Sequence, residues 1–114
     1  MTMTASKSWE AVAAHRRTLA GKHLRTLFAE DPERASALSL SLGGLHYDFS
    51  KQRLTAETIG LLAALAREAG VEEGVRRMFA GERINLSEDR AVLHVALRQS
   101  DGPFPSTVCD VMPE

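Results

Sequence analysis

Cysteine is almost missing from this sequence. Cys109 is the sole thiol, so neither an internal disulfide nor a cysteine-based metal cluster can form, and a reducing compartment suits that usage. Neither sign of charge is in excess: 14 Lys and Arg stand against 15 Asp and Glu, a formal charge of -1. No basic stripe marks a nucleic-acid or anionic-membrane partner, and neither is expected. Apolar runs fall well short of the roughly 20 residues of a membrane span, and Met1 to Lys7 lacks the charged start and apolar stretch of a signal peptide. The cytoplasm is the expected compartment. Internal repeats at solenoid periods and low-complexity linkers are also lacking.

What is present is ordinary for a soluble globular chain: 114 residues, 44% hydrophobic and 25% charged. This is enough for one domain with a modest core, and no internal boundary is expected within 1–114. Ser8 precedes Trp9, Val12, Ala13 and Leu19 at helical spacing, with Gly21 as a stop. A second short helix carries Leu24, Leu27 and Phe28. Asp31-Pro32 then punctuates the chain, either as the start of a brief helical turn with Glu33 near its positive end or as a loop.

From Leu38 the period shortens to two. Leu38, Leu40 and Leu42 alternate with serines, and Leu45, Tyr47 and Phe49 alternate with His46 and Asp48. Gly43-Gly44 between the runs supplies the positive backbone angles of a tight turn, so the segment reads as a two-stranded ribbon. An isolated ribbon is marginal in water and should lie against helices or another chain. Thr55 then caps a helix with Ile59, Leu62, Leu65 and Ala69 on one face and Gly70 after it. Val71 to Ala80 forms another helix, weakened at Gly74 by about 1 kcal/mol relative to alanine. Ser87 is expected to cap a last helix with Glu88 and Asp89 in its first turn, through Ala91 to Leu97, apolar on nearly every side and therefore prone to expose hydrophobic surface. Beyond Gln99, Gly102, Pro103 and Pro105 interrupt any regular element. The fold class expected is mainly α with one β-hairpin, an α+β arrangement.

The candidates for chemistry each have a structural account. The glycines match neither a P-loop nor a dinucleotide fingerprint. His15, His23, His46 and His94 fall on different elements without metal-ligand spacing; His94, on the expected buried helix, reads as a satisfied core histidine rather than an acid or base. Glu72-Glu73 and Glu88-Asp89 suit helix first turns. Arg76-Arg77 and Arg16-Arg17 suit solvated helix faces better than an anion site. Ser36, Ser39 and Ser41 lack a glycine-flanked elbow and an identifiable base. No catalytic, cofactor-binding or metal-binding residue is assigned.

Three stretches in order carry a family likeness: Gly44-Leu45-His46-Tyr47-Asp48-Phe49-Ser50-Lys51-Gln52-Arg53-Leu54-Thr55, then Met78-Phe79-Ala80-Gly81-Glu82-Arg83-Ile84-Asn85, then Glu88-Asp89-Arg90-Ala91-Val92-Leu93-His94-Val95-Ala96-Leu97-Arg98. Together they resemble the region near the start of glucose-6-phosphate isomerases, and the likeness extends from the Trp9 helix to Glu114. The resemblance implies a much longer enzyme, a homodimer with a two-domain, three-layer α/β fold. It interconverts glucose 6-phosphate and fructose 6-phosphate in glycolysis and gluconeogenesis without a cofactor. In that family a glutamate moves a proton between C1 and C2 through an enediol, a histidine and a lysine act at ring opening, and a Ser/Thr-rich loop holds the phosphate. None of those motifs lies within these 114 residues. His94 and Arg98 belong to a family stretch that reads as packing. This chain is therefore expected to be an inactive N-terminal fragment. The alternative is a non-catalytic interaction module that docks on a full-length isomerase through the apolar Ala91 to Leu97 face.

Overall fold

The computed structural model describes residues 3–99 and Phe104. It is mainly helical with one antiparallel hairpin, the α+β arrangement expected from the periodicity. The chain falls into two compact units, Met1–Ala69 and Gly70–Glu114.

In the first unit a 3-10 turn at Met3–Ala5 leads into helix α1, Lys7–Leu19. Its cap is Ser6, not Ser8: the buried Ser6 hydroxyl accepts the Trp9 N–H. Helix α2, Leu24–Glu30, starts at His23, whose Nδ1 accepts the Arg25 N–H at 3.2 Å. Asp31 Oδ1 accepts the Glu33 N–H, and a single turn, α3, Arg34–Ala37, follows. The short helix expected after Asp31-Pro32 forms, but it starts at Arg34 with Glu33 at its cap position, so Asp31 and Pro32 lie ahead of it rather than opening it.

Strands β1, Ser39–Leu42, and β2, Leu45–Asp48, pair with Leu40 opposite Tyr47 and Leu42 opposite Leu45. Gly43 and Gly44 sit at φ 55° and 81°, the mirror-image turn that matches the twist of a two-residue hairpin. Phe49 N donates to Leu38 O and extends the ribbon by one bond at its base. Leu38 is buried there, whereas all four apolar residues nearer the tip are exposed.

Helix α4, Ala56–Glu68, follows Thr55 and packs on α1. The pairing is antiparallel: His15 meets Thr58 near one end, and Ser8 N donates to Glu68 Oε2 at the other. The second contact gives a carboxylate to one of the N–H groups that the first turn of a helix leaves unpartnered. Ser8, through its side chain foremost and then its N–H, holds the Glu68 carboxyl below its usual range. Among the described residues of this unit, Leu19, Leu27, Leu38 and Leu54 are the buried apolar ones. Arg34 and Ser50, each 1% exposed, are buried with them.

The second unit begins with α5, Val71–Phe79, bearing Glu72 and Glu73 in its first turn and Arg76 and Arg77 in its last. Both placements complement the helix dipole. Val71, Val75 and Phe79 form an exposed stripe at i, i+4 and i+8. The expected helix from Ser87 to Leu97 is not formed. Asn85 and Arg90 make an isolated antiparallel bridge around a turn, Ala91 to Leu93 lie outside any helix or strand, and only a 3-10 turn at Ala96–Arg98 remains. Asp89, at φ 46°, is left-handed where a helix would need right-handed backbone. Asn85, Ser87 and Glu88 bond to one another through their side chains, an alternative that such short polar groups offer in place of helix. β-Branched Val92 and Val95 add little helical preference to oppose it.

Candidate functional site

The most developed polar arrangement lies between α1 and α4. His15 projects from the middle of α1 with its side chain 9% exposed, and its Nε2 is 2.8 Å from Thr58 Oγ1 in the first turn of α4. Thr58 Oγ1 already accepts the Thr55 N–H at 2.9 Å. The Thr58 hydroxyl and Nε2 can bond with either one donating, according to the ring tautomer. Nδ1 lies 3.5 Å from the exposed Glu57 carboxylate. Carboxylate, imidazole and hydroxyl thus stand in sequence, and the last two, His15 and Thr58, line a cleft of about 460 Å³ with Val12, Arg16, Leu19, Ala20 and Arg53.

The order of groups is that of an activated nucleophile, but the geometry serves helix packing. Thr58 Oγ1 is an acceptor for the backbone and cannot leave that role without opening the first turn of α4. Arg53 Nη1 reaches the Ala20 carbonyl at 3.3 Å, so its charge braces the end of α1. The pairing of His15 with Thr58 spans 43 residues and could not be seen from local spacing. The signal that was available is Thr55-x-x-Thr58, a capping pattern with threonine where glutamate is usual.

A second polar centre holds the Ser50 to Leu54 loop. The Arg34 guanidinium donates to three carbonyls: Nε to Ser50 O at 2.8 Å, Nη1 to Leu54 O at 2.7 Å, and Nη2 to Gln52 O at 2.6 Å. The Phe28 ring lies 5.4 Å from its central carbon, a favourable face for a desolvated cation. At the start of the same loop Asp48 pairs with Lys51 and accepts the Ser50 hydroxyl and N–H. These contacts, that with Lys51 foremost, hold its carboxyl far below the usual carboxylate range.

The remaining residues weighed from the sequence are dispersed. His23 is a cap. His46 Nδ1 lies 3.0 Å from Ser41 Oγ across the ribbon, so register supplies that serine with an imidazole that chain order hides. The pair is exposed. His94, expected in a buried helix, instead occupies an exposed turn, because the helix that would have buried it is absent. Ser36 and Ser39 donate to the Glu33 and Ala35 carbonyls.

Arg76 pairs bidentately with Glu73, at 2.8 and 2.5 Å, and Arg77 bonds Glu82 at 2.7 Å. Arg76 holds the Glu73 carboxyl below its usual range, so these cations are engaged by neighbouring carboxylates. Glu88 and Asp89 do not cap a helix; they pair with Arg90 and Arg83 around the Asn85–Arg90 bridge. Arg16 lies on the cleft wall and Arg17 is exposed beside it. Among the described residues no group of three His, Cys, Asp or Glu side chains could hold a metal ion, and no helix is long and apolar enough to cross a membrane.

Comparison with known proteins gives the chain its relatives. A family model described as phosphoglucose isomerase matches residues 48–114, more than half of the chain. Glucose-6-phosphate isomerase of Methylococcus capsulatus is 49% identical over 108 residues, which cover 94% of this chain and 20% of the relative. The enzyme of that name from Mycolicibacterium smegmatis is 51% identical over 96 residues, 84% of this chain and 18% of the relative. Glucose-6-phosphate isomerase 4 of Rhodococcus jostii is 53% identical over 96 residues, 84% of this chain and 17% of the relative. The chain therefore spans no more than about a fifth of the length of these relatives.

Proposed function

Because the chain belongs to the phosphoglucose isomerase family, we propose that it is the N-terminal portion of a glucose-6-phosphate isomerase, the enzyme that interconverts glucose 6-phosphate and fructose 6-phosphate. The observation that carries this reading is 49% identity sustained over 94% of the chain against only 20% of the relative. The complete enzyme is then a two-domain, three-layer α/β homodimer acting in glycolysis and gluconeogenesis in the cytoplasm.

Aldose–ketose exchange is redox-neutral. A base removes the proton from one of the two carbons, the electron pair forms an enediol, and a proton returns to the other carbon while the carbonyl and hydroxyl change places. Such a transfer needs a poised carboxylate and a proton donor within reach of the sugar, and no cofactor. His15, Thr58 and Arg34 are engaged in holding α1, α4 and the Ser50 to Leu54 loop together. No catalytic residue is assigned to this chain. Its contribution is scaffold, and by itself it is inactive.

A coupled assay of fructose 6-phosphate conversion, run on the 114-residue chain beside the product of the uninterrupted gene, tests the reading. Activity in the longer protein alone supports it. Turnover by the short chain would place the reacting groups within these residues, and inactivity of both would remove the isomerase assignment.

A further inference from the structure

We infer that the apolar face of the ribbon, Leu40, Leu42, Leu45 and Tyr47, is where this segment docks onto the remainder of its isomerase, an inference that rests on the function proposed above. The register puts these four side chains on one face: Leu40 pairs with Tyr47 and Leu42 with Leu45. Ser41 and His46 occupy the other face and bond to each other. A ribbon with one apolar and one polar face is built to lie on a surface, since side chains alternate across a strand.

Exposure identifies which part of the ribbon lacks a cover. Leu38, at the base, is 4% exposed, whereas Leu40 and Tyr47 are 55% and 46% exposed and Leu42 and Leu45, beside the turn, 70% and 61%. The base is anchored in the first unit, and the tip stands clear of it. Two strands alone are marginally stable in water, so both the strand pairing and the four side chains gain from a partner.

Size decides between a second copy and an attached partner. Stable interfaces between separate chains engage about 20–30 residues a side, because association must offset lost translational and rotational freedom. Four side chains fall far short of that. They suffice when the partner is part of the same polypeptide, where docking is intramolecular and that cost is small. The length relation supplies such a partner, since about four fifths of the first relative lies outside the matched segment.

The test is thiol labelling at Leu42→Cys in a Cys109→Ser background, made both in the 114-residue chain and in the product of the uninterrupted gene. Labelling about tenfold or more slower in the longer protein is expected, because the site would react only after the face opens locally. Equal rates in an active isomerase would overturn the inference. If the short chain becomes protected as its concentration rises and sediments as a dimer, the occupant is a second copy and the inference also fails. An inactive longer product would instead count against the proposed function. Leu42→Glu with Leu45→Glu gives an independent readout: the longer protein is expected to melt several degrees lower and the short chain within a degree or two of its parent. Unchanged melting of the longer protein would refute docking through this face.

Discussion

Arg34→Met is the substitution that most directly tests how the first unit is held. Methionine keeps an unbranched apolar stem but removes every donor of the guanidinium. Three carbonyls, of Ser50, Gln52 and Leu54, then lose their charged partner in a site where Arg34 is 1% exposed. Hydrogen bonds to a charged group each contribute about 1.5–3 kcal/mol, but the three act as a unit and do not simply add. Removing the buried cation also recovers its desolvation cost, so the net loss is about 3–5 kcal/mol. A chain of this size has roughly 6–17 kcal/mol in total. At about 4 °C or more per kcal/mol the variant should melt at least about 12 °C below its parent. Limited trypsin digestion gives a local readout, because the freed loop carries Lys51 and Arg53. Cleavage there should precede cleavage in α1 or α4. Arg34→Lys keeps a charge but presents no planar fork, and should fall between parent and Met variant. Melting of Arg34→Met within about 2 °C of the parent, with an unchanged cleavage order, would refute the reasoning.

Acid should act through Asp48, whose folded-state carboxyl is held below its ordinary value by Lys51 and Ser50. A depressed pKa contributes stability above the unfolded value of 3.8 that is lost as pH falls below it. Asp48→Asn should therefore be less stable than the parent at pH 7, and the gap in melting temperature should close in acid. Gly44→Ala, at φ 81° with nothing within 4 Å of the added carbon, should cost about 1–2 kcal/mol from backbone strain alone, whereas Gly43→Asn should be nearly neutral. Amide exchange along the ribbon separates the two. Thr58→Val leaves the Thr55 N–H without its acceptor and His15 without its partner, and should cost about 1–2 kcal/mol by denaturant melting. Glu57→Gln, at a carboxylate 72% exposed and 3.5 Å from the ring, should change stability by less than about 0.5 kcal/mol.

Periodicity made most of the first unit readable. Leu40 and Leu42 against Leu45 and Tyr47 fixed strand type, turn and facing residues together, because a two-residue turn leaves one register. α4 was legible from Thr55 and Gly70, but the apolar face expected for it is mostly uncovered: Ile59 and Leu62 are exposed, and Thr58 makes the polar contact with α1. The Ser87 to Leu97 segment was not legible, and the reason lies in its composition. Ala91 to Leu97 is broken only by His94, too little polar spacing to give a helical period, and helix and extended chain compete for it on local terms. Here those terms are set by Asp89 in the left-handed region and by the polar side chains of Asn85, Ser87 and Glu88.

The polar centres were hidden for a different reason. His15 and Thr58 are 43 residues apart, and Arg34 reaches carbonyls 16 to 20 residues away. Neither spacing leaves a mark on local sequence, because backbone carbonyls are present whatever the residue type. The Ser50 to Leu54 loop is held by its backbone carbonyls rather than by reactive side chains. A loop whose carbonyls must meet one guanidinium is constrained in path rather than in chemistry. The ribbon tip is likewise a matter of packing. Leu42 and Leu45 are costly to expose in the short chain and are accounted for once a surface of the longer polypeptide lies over them.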